Sequence, residues 1–246
     1  MSAIPPAITL HALGPSHPCR TVEAALQLKG LPYERIDFAL GEHVERMTEI
    51  YGPARTTVPG LLVGEERVHG SVAILERLEQ LHPEPSLYPP SIAEAVHEAE
   101  RWGDAVLQDL GRRLPWGALH YRPDALGTFV GGGPLDEAGT EFARKVVRAT
   151  WRYHGITEER LQDDLHAFPA MLDRIDALAA DGTIGADHVN AADLQIGATL
   201  ATLLTVEDLR PLMADRPGEA LARRLFPDVP GQVPAGAFPA GWVPAR

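Results

Sequence analysis

The sequence predicts an α/β domain followed by an all-α domain, and three observations lead to this fold class. A chain of 246 residues is long for one ordinary domain and suits two, each with its own core. Short segments with strand and helix periodicity alternate over residues 7–82, whereas no alternating strand pattern occurs between Ile92 and Leu225. The predicted domains are therefore residues 1–82 and 92–226, with a linker at 83–91 and a Pro/Gly-rich C-terminal tail at 227–246.

The N-terminal pattern begins with a strand, a helix and a second strand. Ala7–Leu13 is an apolar strand that a Gly-Pro pair ends. Pro18 favours the first turn of a helix, where its missing N–H has no partner to lose, and Gly30 closes that helix. Tyr33–Phe38 then forms a second strand, and a right-handed crossover makes it parallel to the first.

A hairpin and a helix complete the predicted α/β domain. Leu61–Val63 and Arg67–His69 are short strand-like runs, and the Gly-Glu-Glu segment between them suits a hairpin turn. Ser71 is a favourable N-cap for the following helix, whose isoleucine and leucine side chains fall on one face. Two prolines in residues 82–85 end this helix and begin the linker.

The rest of the chain has helical periodicity. The predicted helices are Ile92–Arg113, Leu135–Trp151, Thr157–Ala180, Ala191–Leu204 and Val206–Phe226. Asn190 and Asp193 have the spacing of a capping box at the start of the fourth of these helices. The last twenty residues contain five prolines and three glycines, which predicts an extended tail that either lies on the surface or moves freely.

Composition argues against several classes of function. The formal net charge of −12 opposes binding to nucleic acid or to an anionic membrane. The single cysteine excludes an intrachain disulfide and a cysteine metal cluster, and the ten histidines include no His-Glu-x-x-His motif, so no metal site is predicted. No segment approaches the roughly 20 apolar residues of a membrane-spanning helix. Because the first residues also lack the features of a signal peptide, a cytoplasmic protein is expected.

Six short motifs, in this order, resemble those of the glutathione transferase superfamily, and most closely its theta-like and bacterial members. They are Ser16-His17-Pro18-Cys19-Arg20, Gly41-Glu42-His43, Val58-Pro59, Gly70-Ser71-Val72-Ala73-Ile74, Glu84–Pro89 and Asn190–Asp193. The resemblance implies a thioredoxin-like βαβ-ββα domain followed by a helical bundle. It also implies a homodimer and an enzyme of detoxification that activates glutathione as co-substrate, without a metal, and adds it to a hydrophobic electrophile.

Ser16 is the thiol-activating residue that this resemblance implies. An unperturbed thiol has a pKa of about 8.5, so a hydroxyl donor and a helix N-terminus are needed to stabilise a thiolate at neutral pH. The alternative is that Ser16 only caps the first helix. Cys19 lies in the first turn of that helix, where its pKa is expected to fall. It is therefore either the nucleophile of a thiol transferase that forms mixed disulfides or a small buried residue.

The resemblance places the thiol tripeptide on His43, Val58, Pro59, Gly70 and Ser71. The backbone of Val58, beside a cis proline, pairs with the extended peptide, and the helix N-terminus at Ser71 binds the γ-glutamyl carboxylate. His43, expected in a loop, donates to the glycyl carboxylate or is simply solvated. Gly70 stands where the family usually has an acid that pairs with the γ-glutamyl ammonium. Glutathione, a different small thiol and a non-catalytic binding role therefore all remain open.

The resemblance places the electrophile between the domains, along the first long helix of the second domain. The candidates for this site are Arg101, Trp102 and Trp116, in a region that also holds His97, Arg112, Arg113, His120 and Tyr121. Arginine and aromatic side chains suit a flat or anionic organic substrate. The alternative is that these residues are the core and solvent positions of an amphipathic helix.

Overall fold

A computed structural model describes residues 6–245, which form two compact units. The first unit extends to Asp104 and also includes His188–Gln195. The second consists of Ala105–Asp187 together with the chain from Ile196 onward. The first unit contains a four-stranded sheet and the second is helical, so the predicted combination of a thioredoxin-like domain and a helical domain is confirmed.

The first unit begins with a βαβ segment and continues with a helix, a hairpin and another helix. Its elements are β1 (Ile8–Ala12), α1 (His17–Leu28), β2 (Glu34–Asp37), α2 (Glu42–Tyr51), β3 (Gly60–Val63), β4 (Glu66–His69) and α3 (Ser71–Leu81). The strand order is β2-β1-β3-β4, with β1 parallel to β2 and antiparallel to β3. The predicted parallel pair and the predicted hairpin are both present. Buried apolar residues of β1 and β3 and the buried faces of α1 and α3 form the core of this unit.

Two local predictions in this unit are wrong. Helix α2 was not predicted, because its sequence is mostly charged and buries only His43 and Met47. His43 therefore belongs to a helix and not to a loop. Helix α3 does begin at Ser71, but its N-cap is Gly70, with φ 90° and ψ 144°, and Ser71 is its first helical residue.

The helices after α3 follow the predicted order with different boundaries. They are α4 (Ala93–Trp102), a π-helical turn (Gly103–Leu107), α5 (Gln108–Tyr121), a 3₁₀ segment (Pro123–Val130), α6 (Glu137–His154), α7 (Glu158–Ala180), α8 (Ala191–Leu203), a 3₁₀ turn (Glu207–Leu209), α9 (Arg210–Met213) and α10 (Pro217–Leu225). The single helix predicted over 206–226 is wrong. Pro211 lies in the first turn of α9 and Pro217 is the first residue of α10, positions where the missing proline N–H has no helical partner to lose.

The start of α8 is fixed to the sheet-containing unit. The predicted capping box is present, because the Asn190 N–H donates to Asp193 Oδ2 at 3.0 Å and the Asp193 N–H donates to Asn190 Oδ1 at 3.1 Å. The Ala191 N–H donates to the Leu87 carbonyl at 2.9 Å, and the Thr21 hydroxyl of α1 lies 3.4 Å from the Leu194 carbonyl. These bonds explain why residues 188–195 belong to the first unit.

The tail follows an extended course along the helical unit. Val233 forms a parallel bridge with Val206, and the Asp208 carboxylate accepts hydrogen bonds from the Gly236 N–H at 2.6 Å and the Phe238 N–H at 2.9 Å. The side chains of Val233 and Phe238 are buried. Between residues 227 and 245 the tail is thus an integral part of the fold of this unit.

Candidate functional site

Several strand ends meet at one edge of the sheet. Gly60, the first residue of β3, lies opposite His11 near the end of β1 and opposite His69 at the end of β4. Asp37, the last residue of β2, lies opposite Ala12, the last residue of β1. The segments that follow β1, β2 and β4, and the segment that precedes β3, therefore lie along the same edge.

The residues predicted to bind or activate a thiol lie in these segments. Ser16 follows β1, His43 follows β2, Val58 and Pro59 precede β3, and Gly70 and Ser71 follow β4. The Val58–Pro59 peptide bond is cis. The Gly70 N–H donates to the Pro59 carbonyl at 3.0 Å, so the cis-proline loop and the start of α3 are directly joined. The topology brings these predicted positions to one edge of the sheet, although they are distant in the sequence.

Ser16 is the N-cap residue of α1, with extended backbone geometry, but its side chain makes no capping hydrogen bond. Capping alone therefore does not account for this hydroxyl. The side chain is partly exposed and lies at the positive end of the helix dipole. Its hydroxyl is also a hydrogen-bond partner of the Cys19 thiol. A hydroxyl in this position can donate to a sulfur atom placed at the N-terminus of α1.

Cys19 is fully buried, and this burial raises the pKa of its thiol to about 11, although its hydrogen bond with Ser16 opposes the rise. The expectation that the N-terminus of α1 lowers this pKa is therefore wrong. Desolvation of a thiolate inside the core outweighs the hydrogen bonds with Ser16 and with the backbone of Leu13, which lower the pKa. The surroundings of Cys19 are those of a structural residue.

The start of α3 combines a buried hydroxyl, free backbone donors and a carboxylate. Ser71 is 2% exposed, and its hydroxyl lies 3.4 Å from Asp104 Oδ1. Asp104 lies in the π-helical turn after α4 and belongs to the same compact unit. Its position depends on this turn and on the packing of α3, so no sequence motif indicated it. A carboxylate is thus present beside the start of α3, although Gly70 itself carries none.

His43 is buried on α2, and its Nδ1 accepts a hydrogen bond from the Gly41 N–H at 3.1 Å. Burial lowers the pKa of this histidine, while a hydrogen bond with the Ala39 carbonyl raises it. The imidazole is therefore mainly neutral at pH 7. A contact with a carboxylate would use this ring as a neutral donor and not as a cation.

A polar cluster that the sequence did not indicate supports the cis-proline loop. Tyr51 Oη lies 2.8 Å from His11 Nδ1, and the Tyr51 ring covers Gly60, where a Cβ atom would overlap with the ring carbon Cζ. His69 Nε2 lies 2.8 Å from the Thr57 carbonyl. Burial lowers the pKa of both histidines. This cluster fixes the backbone on either side of Val58–Pro59.

Residues 10–86 match the family model described as glutathione S-transferase, N-terminal domain. The first unit contains a glutathione S-transferase domain. The sequence resemblance to that superfamily is therefore confirmed. A search of curated proteins finds no match to the chain.

Solved structures of glutathione S-transferases and related proteins have the same fold. The β-etherase LigF from Sphingobium sp. strain SYK-6 has a TM-score of 0.63 at 20% identity, over 90% of this chain and 99% of that one. The Tau class glutathione S-transferase MiGSTU from mango, Mangifera indica, has 0.56 at 16% identity, over 90% and 89%. Rice GST1 (OsGSTU1) in complex with glutathione has 0.55 at 18% identity, over 90% and 87%. At these identities the likeness shows the fold.

The candidates for the electrophile site lie on α4 and α5 of this glutathione S-transferase fold. Arg101 and Trp102 are the last residues of α4, and the Arg101 side chain is exposed. Trp116 lies on α5, and its carbonyl accepts a hydrogen bond from Trp151 Nε1 at 2.9 Å. The role of these three residues in binding an electrophile remains a prediction.

Glu100, one helical turn before Asp104, is a buried acid that sequence reasoning did not single out. Its carboxylate is 0% exposed and accepts hydrogen bonds from the Tyr88 hydroxyl at 2.9 and 3.1 Å. Its pKa is raised to about 8: burial is the main cause, the hydrogen bond from Tyr88 and the charge of Arg101 oppose the rise, and the neighbouring acids Glu76 and Asp104 add to it. The side chain is therefore largely protonated at pH 7.

Neither a metal site nor a membrane-spanning helix is found in the described part of the chain. Over residues 6–245, no group of three or more histidine, cysteine, aspartate and glutamate side chains could hold a metal ion. Within the same range, no helix is long and apolar enough to cross a membrane.

Proposed function

We propose that this chain is a glutathione transferase that binds glutathione at the edge of its N-terminal sheet and activates the thiol for attack on a hydrophobic electrophile. The observation that carries the proposal is the convergence of Ser16, the cis Val58–Pro59 bond and the start of α3 at that edge. Each of these features matches a different part of the same tripeptide.

The γ-glutamyl end of glutathione is a zwitterion, so its site needs donors for a carboxylate and an acceptor for an ammonium. The Ser71 hydroxyl and the free N–H groups at the start of α3 supply the donors. The Asp104 carboxylate, 3.4 Å from the Ser71 hydroxyl, supplies the acceptor. In this proposal Asp104 replaces the acid that the family usually carries at the position of Gly70.

The cysteinyl residue, in the middle of the tripeptide, then lies along the sheet edge with its thiol toward Ser16. The backbone of Val58 pairs with the cysteinyl residue in the manner of a β-strand. The Ser16 hydroxyl donates to the sulfur, and the N-terminus of α1 adds partial positive charge, so both stabilise the thiolate that attacks the electrophile. His43 is assigned the glycyl carboxylate as a neutral donor. Cytoplasmic location and a homodimer are part of the same proposal.

Calorimetric titration with glutathione tests the binding step. We expect a dissociation constant in the micromolar to low millimolar range for the native chain. Asp104→Asn is expected to weaken binding by about 10-fold, because it removes the charge that faces the ammonium. Glu94→Gln is the matched control, since Glu94 is an exposed acid in the first turn of α4. No heat of binding with the native chain would contradict the assignment of glutathione.

Turnover of an activated aryl halide with glutathione tests the chemical step. Ser16→Ala is expected to lower kcat by a factor on the order of 10² while glutathione binding stays within about threefold, because the donor acts on the developing thiolate. Unchanged kcat would remove Ser16 from the mechanism. Retained glutathione binding without turnover by the native chain would favour the non-catalytic role.

Gly70→Glu tests whether Asp104 has taken over the role of the family's acid. A Cβ atom at this position meets nothing within 4 Å, but the φ of 90° strains any side chain. We expect a loss of about 1 to 3 kcal/mol in stability and little gain in glutathione affinity when Asp104 is intact. In the Asp104→Asn background the new glutamate is expected to restore binding. Equal effects of Gly70→Glu on glutathione binding in both backgrounds would contradict the proposal that Asp104 performs the role of the family's acid.

A further inference from the structure

Helix α6 carries a row of exposed apolar side chains, here called the α6 stripe, which consists of Ala138, Phe142, Ala149 and Tyr153. Phe142 is 67% exposed and Tyr153 is 48% exposed, whereas the buried face of the same helix consists of Ala143, Val147 and Thr150. The spacing places the stripe on one side of the helix over a length of about 22 Å. Aromatic side chains exposed in such a row indicate a contact surface.

The order of side-chain sizes along the α6 stripe is self-complementary. When a second copy of the helix packs antiparallel, with a two-fold axis near Lys145 and Val146, position 142 faces position 149 and position 138 faces position 153. Each aromatic ring then lies against an alanine of the other copy. Large side chains opposite small ones allow two helices to interdigitate. A parallel pair would instead place each aromatic ring against its own counterpart.

The charges beside the α6 stripe favour the same antiparallel arrangement. Glu141 lies on one flank of the stripe, and Arg148 and Arg152 lie on the same flank in the C-terminal half of the helix. Glu141 pairs with Arg144 at 3.0 Å, but its side chain is 66% exposed, so its carboxylate can accept a second partner. An antiparallel pair places Glu141 of each copy beside the two arginines of the other. Lys145 is exposed near the axis, and its long side chain can turn its ammonium to solvent.

We propose that α6 is a self-association surface, at which a second copy of this chain packs antiparallel through Phe142 and Tyr153. The interface is isologous, because both copies contribute the same residues, and it closes at two copies. Helix α6 belongs to the second compact unit, whereas the residues proposed to bind the thiol lie in the first. The association is therefore independent of the proposed transferase activity and of any dimer that the first unit forms.

Sedimentation velocity of the full chain over a range of concentrations tests this surface. One pair of helices buries a modest area, so we expect a micromolar dissociation constant for the native chain. Phe142→Glu is expected to weaken the association at least about 10-fold, because it brings a charge into an apolar contact. Val130→Glu is the matched control, since Val130 is 78% exposed in the 3₁₀ segment of the same unit. The control should change the dissociation constant by less than about twofold.

The comparison with Val130→Glu also applies if the first unit forms a second contact between copies. The native assembly is then larger, and Phe142→Glu is expected to halve its mass. Circular dichroism and thermal melting verify that both variants fold. A native chain that stays monomeric up to about 100 μM would overturn the proposal. An assembly that Phe142→Glu leaves intact would also overturn it, because the contact would lie elsewhere.

Exchange of charges tests the antiparallel register. Glu141→Arg and the double variant Arg148→Glu/Arg152→Glu each bring like charges together, so each should weaken self-association at least about fivefold. An equal mixture of the two variants is expected to associate with about the native affinity, because each mixed pair has opposite charges at both ends of the contact. A mixture that associates no better than its components would contradict the proposed register.

Chemical cross-linking locates the two-fold axis. Cys19, the single cysteine of the chain, is buried, so a cysteine introduced on the surface reacts selectively. A short bifunctional maleimide is expected to convert Lys145→Cys largely into a covalent dimer. Asp163→Cys, at an exposed position of α7, is the control and should give only traces of dimer. Equal yields from the two variants would contradict an axis near Lys145.

Discussion

Replacing the buried Glu100 by glutamine should change how the stability of the protein depends on pH. The pKa of Glu100 in the folded chain is about 8, compared with 4.5 for an ordinary glutamate. The folded state therefore retains a proton that the unfolded state has released between these two values. This contribution to stability is fully present below pH 4.5 and is lost as the pH rises through 8.

The size of the effect follows from the two pKa values. Between pH 5.5 and 7.5, wild-type stability is expected to fall by about 2.5 kcal/mol because of this one group, at about 1.4 kcal/mol per pH unit before titration begins in the folded state. Glu100→Gln cannot ionise, and its side-chain oxygen can still accept the hydrogen bond from Tyr88. The variant should therefore lack this part of the pH dependence.

Urea denaturation at pH 5.5 and 7.5 and at equal ionic strength measures the difference. Glu94→Gln is the control, because it removes an exposed acid from the same helix and should keep the wild-type slope. An equal loss of stability with pH in Glu100→Gln and in wild type would refute the argument, since it would mean that the buried group ionises in the folded state as it does in water.

Three further predictions concern burial and packing. Cys19 should react with an aromatic disulfide reagent at least about 10²-fold more slowly in the folded protein than in urea, because its thiol is buried and its pKa is about 11. Equal reaction rates in the two states would make Cys19 a candidate nucleophile again. Gly60→Ala should lower the free energy of unfolding in urea by about 1 to 3 kcal/mol, because its Cβ would overlap with the Tyr51 ring. Asp164→Asn removes one half of a buried ion pair and should cost about 3 kcal/mol in urea denaturation, whereas the exposed Asp163→Asn should cost less than about 0.5 kcal/mol. Similar losses for these two aspartates would show that the pair contributes little.

The fold was predictable where the local pattern and the local structure agree. Strands β1, β3 and β4, helices α1 and α3, and the capping box at Asn190 all carry their signals within a few neighbouring residues. Helix α2 has only two buried residues, so its pattern is nearly indistinguishable from that of a polar loop. The break between α9 and α10 ends at Pro217, which cannot continue a preceding helix.

The candidate site was predictable in part, through motifs that resemble those of a known family. Ser16, Val58, Pro59 and Ser71 carry such motifs, and their meeting at one edge follows from strand order and register. Asp104 carries none. It is brought to the start of α3 by a π-helical turn, which is a product of packing and not of local preference.

The two-part organisation, the order of most secondary structure and the superfamily could be read from the sequence, because periodicity, caps and short motifs are local properties. Which polar groups are buried depends on the tertiary structure. The thiol of Cys19 and the carboxylate of Glu100 have raised pKa values because the surrounding chain removes water from them. The ring contacts of Trp151 with His120 and of Trp242 with Tyr121 likewise join residues far apart in the sequence. Burial and such contacts depend on the whole fold, so no short segment contains them.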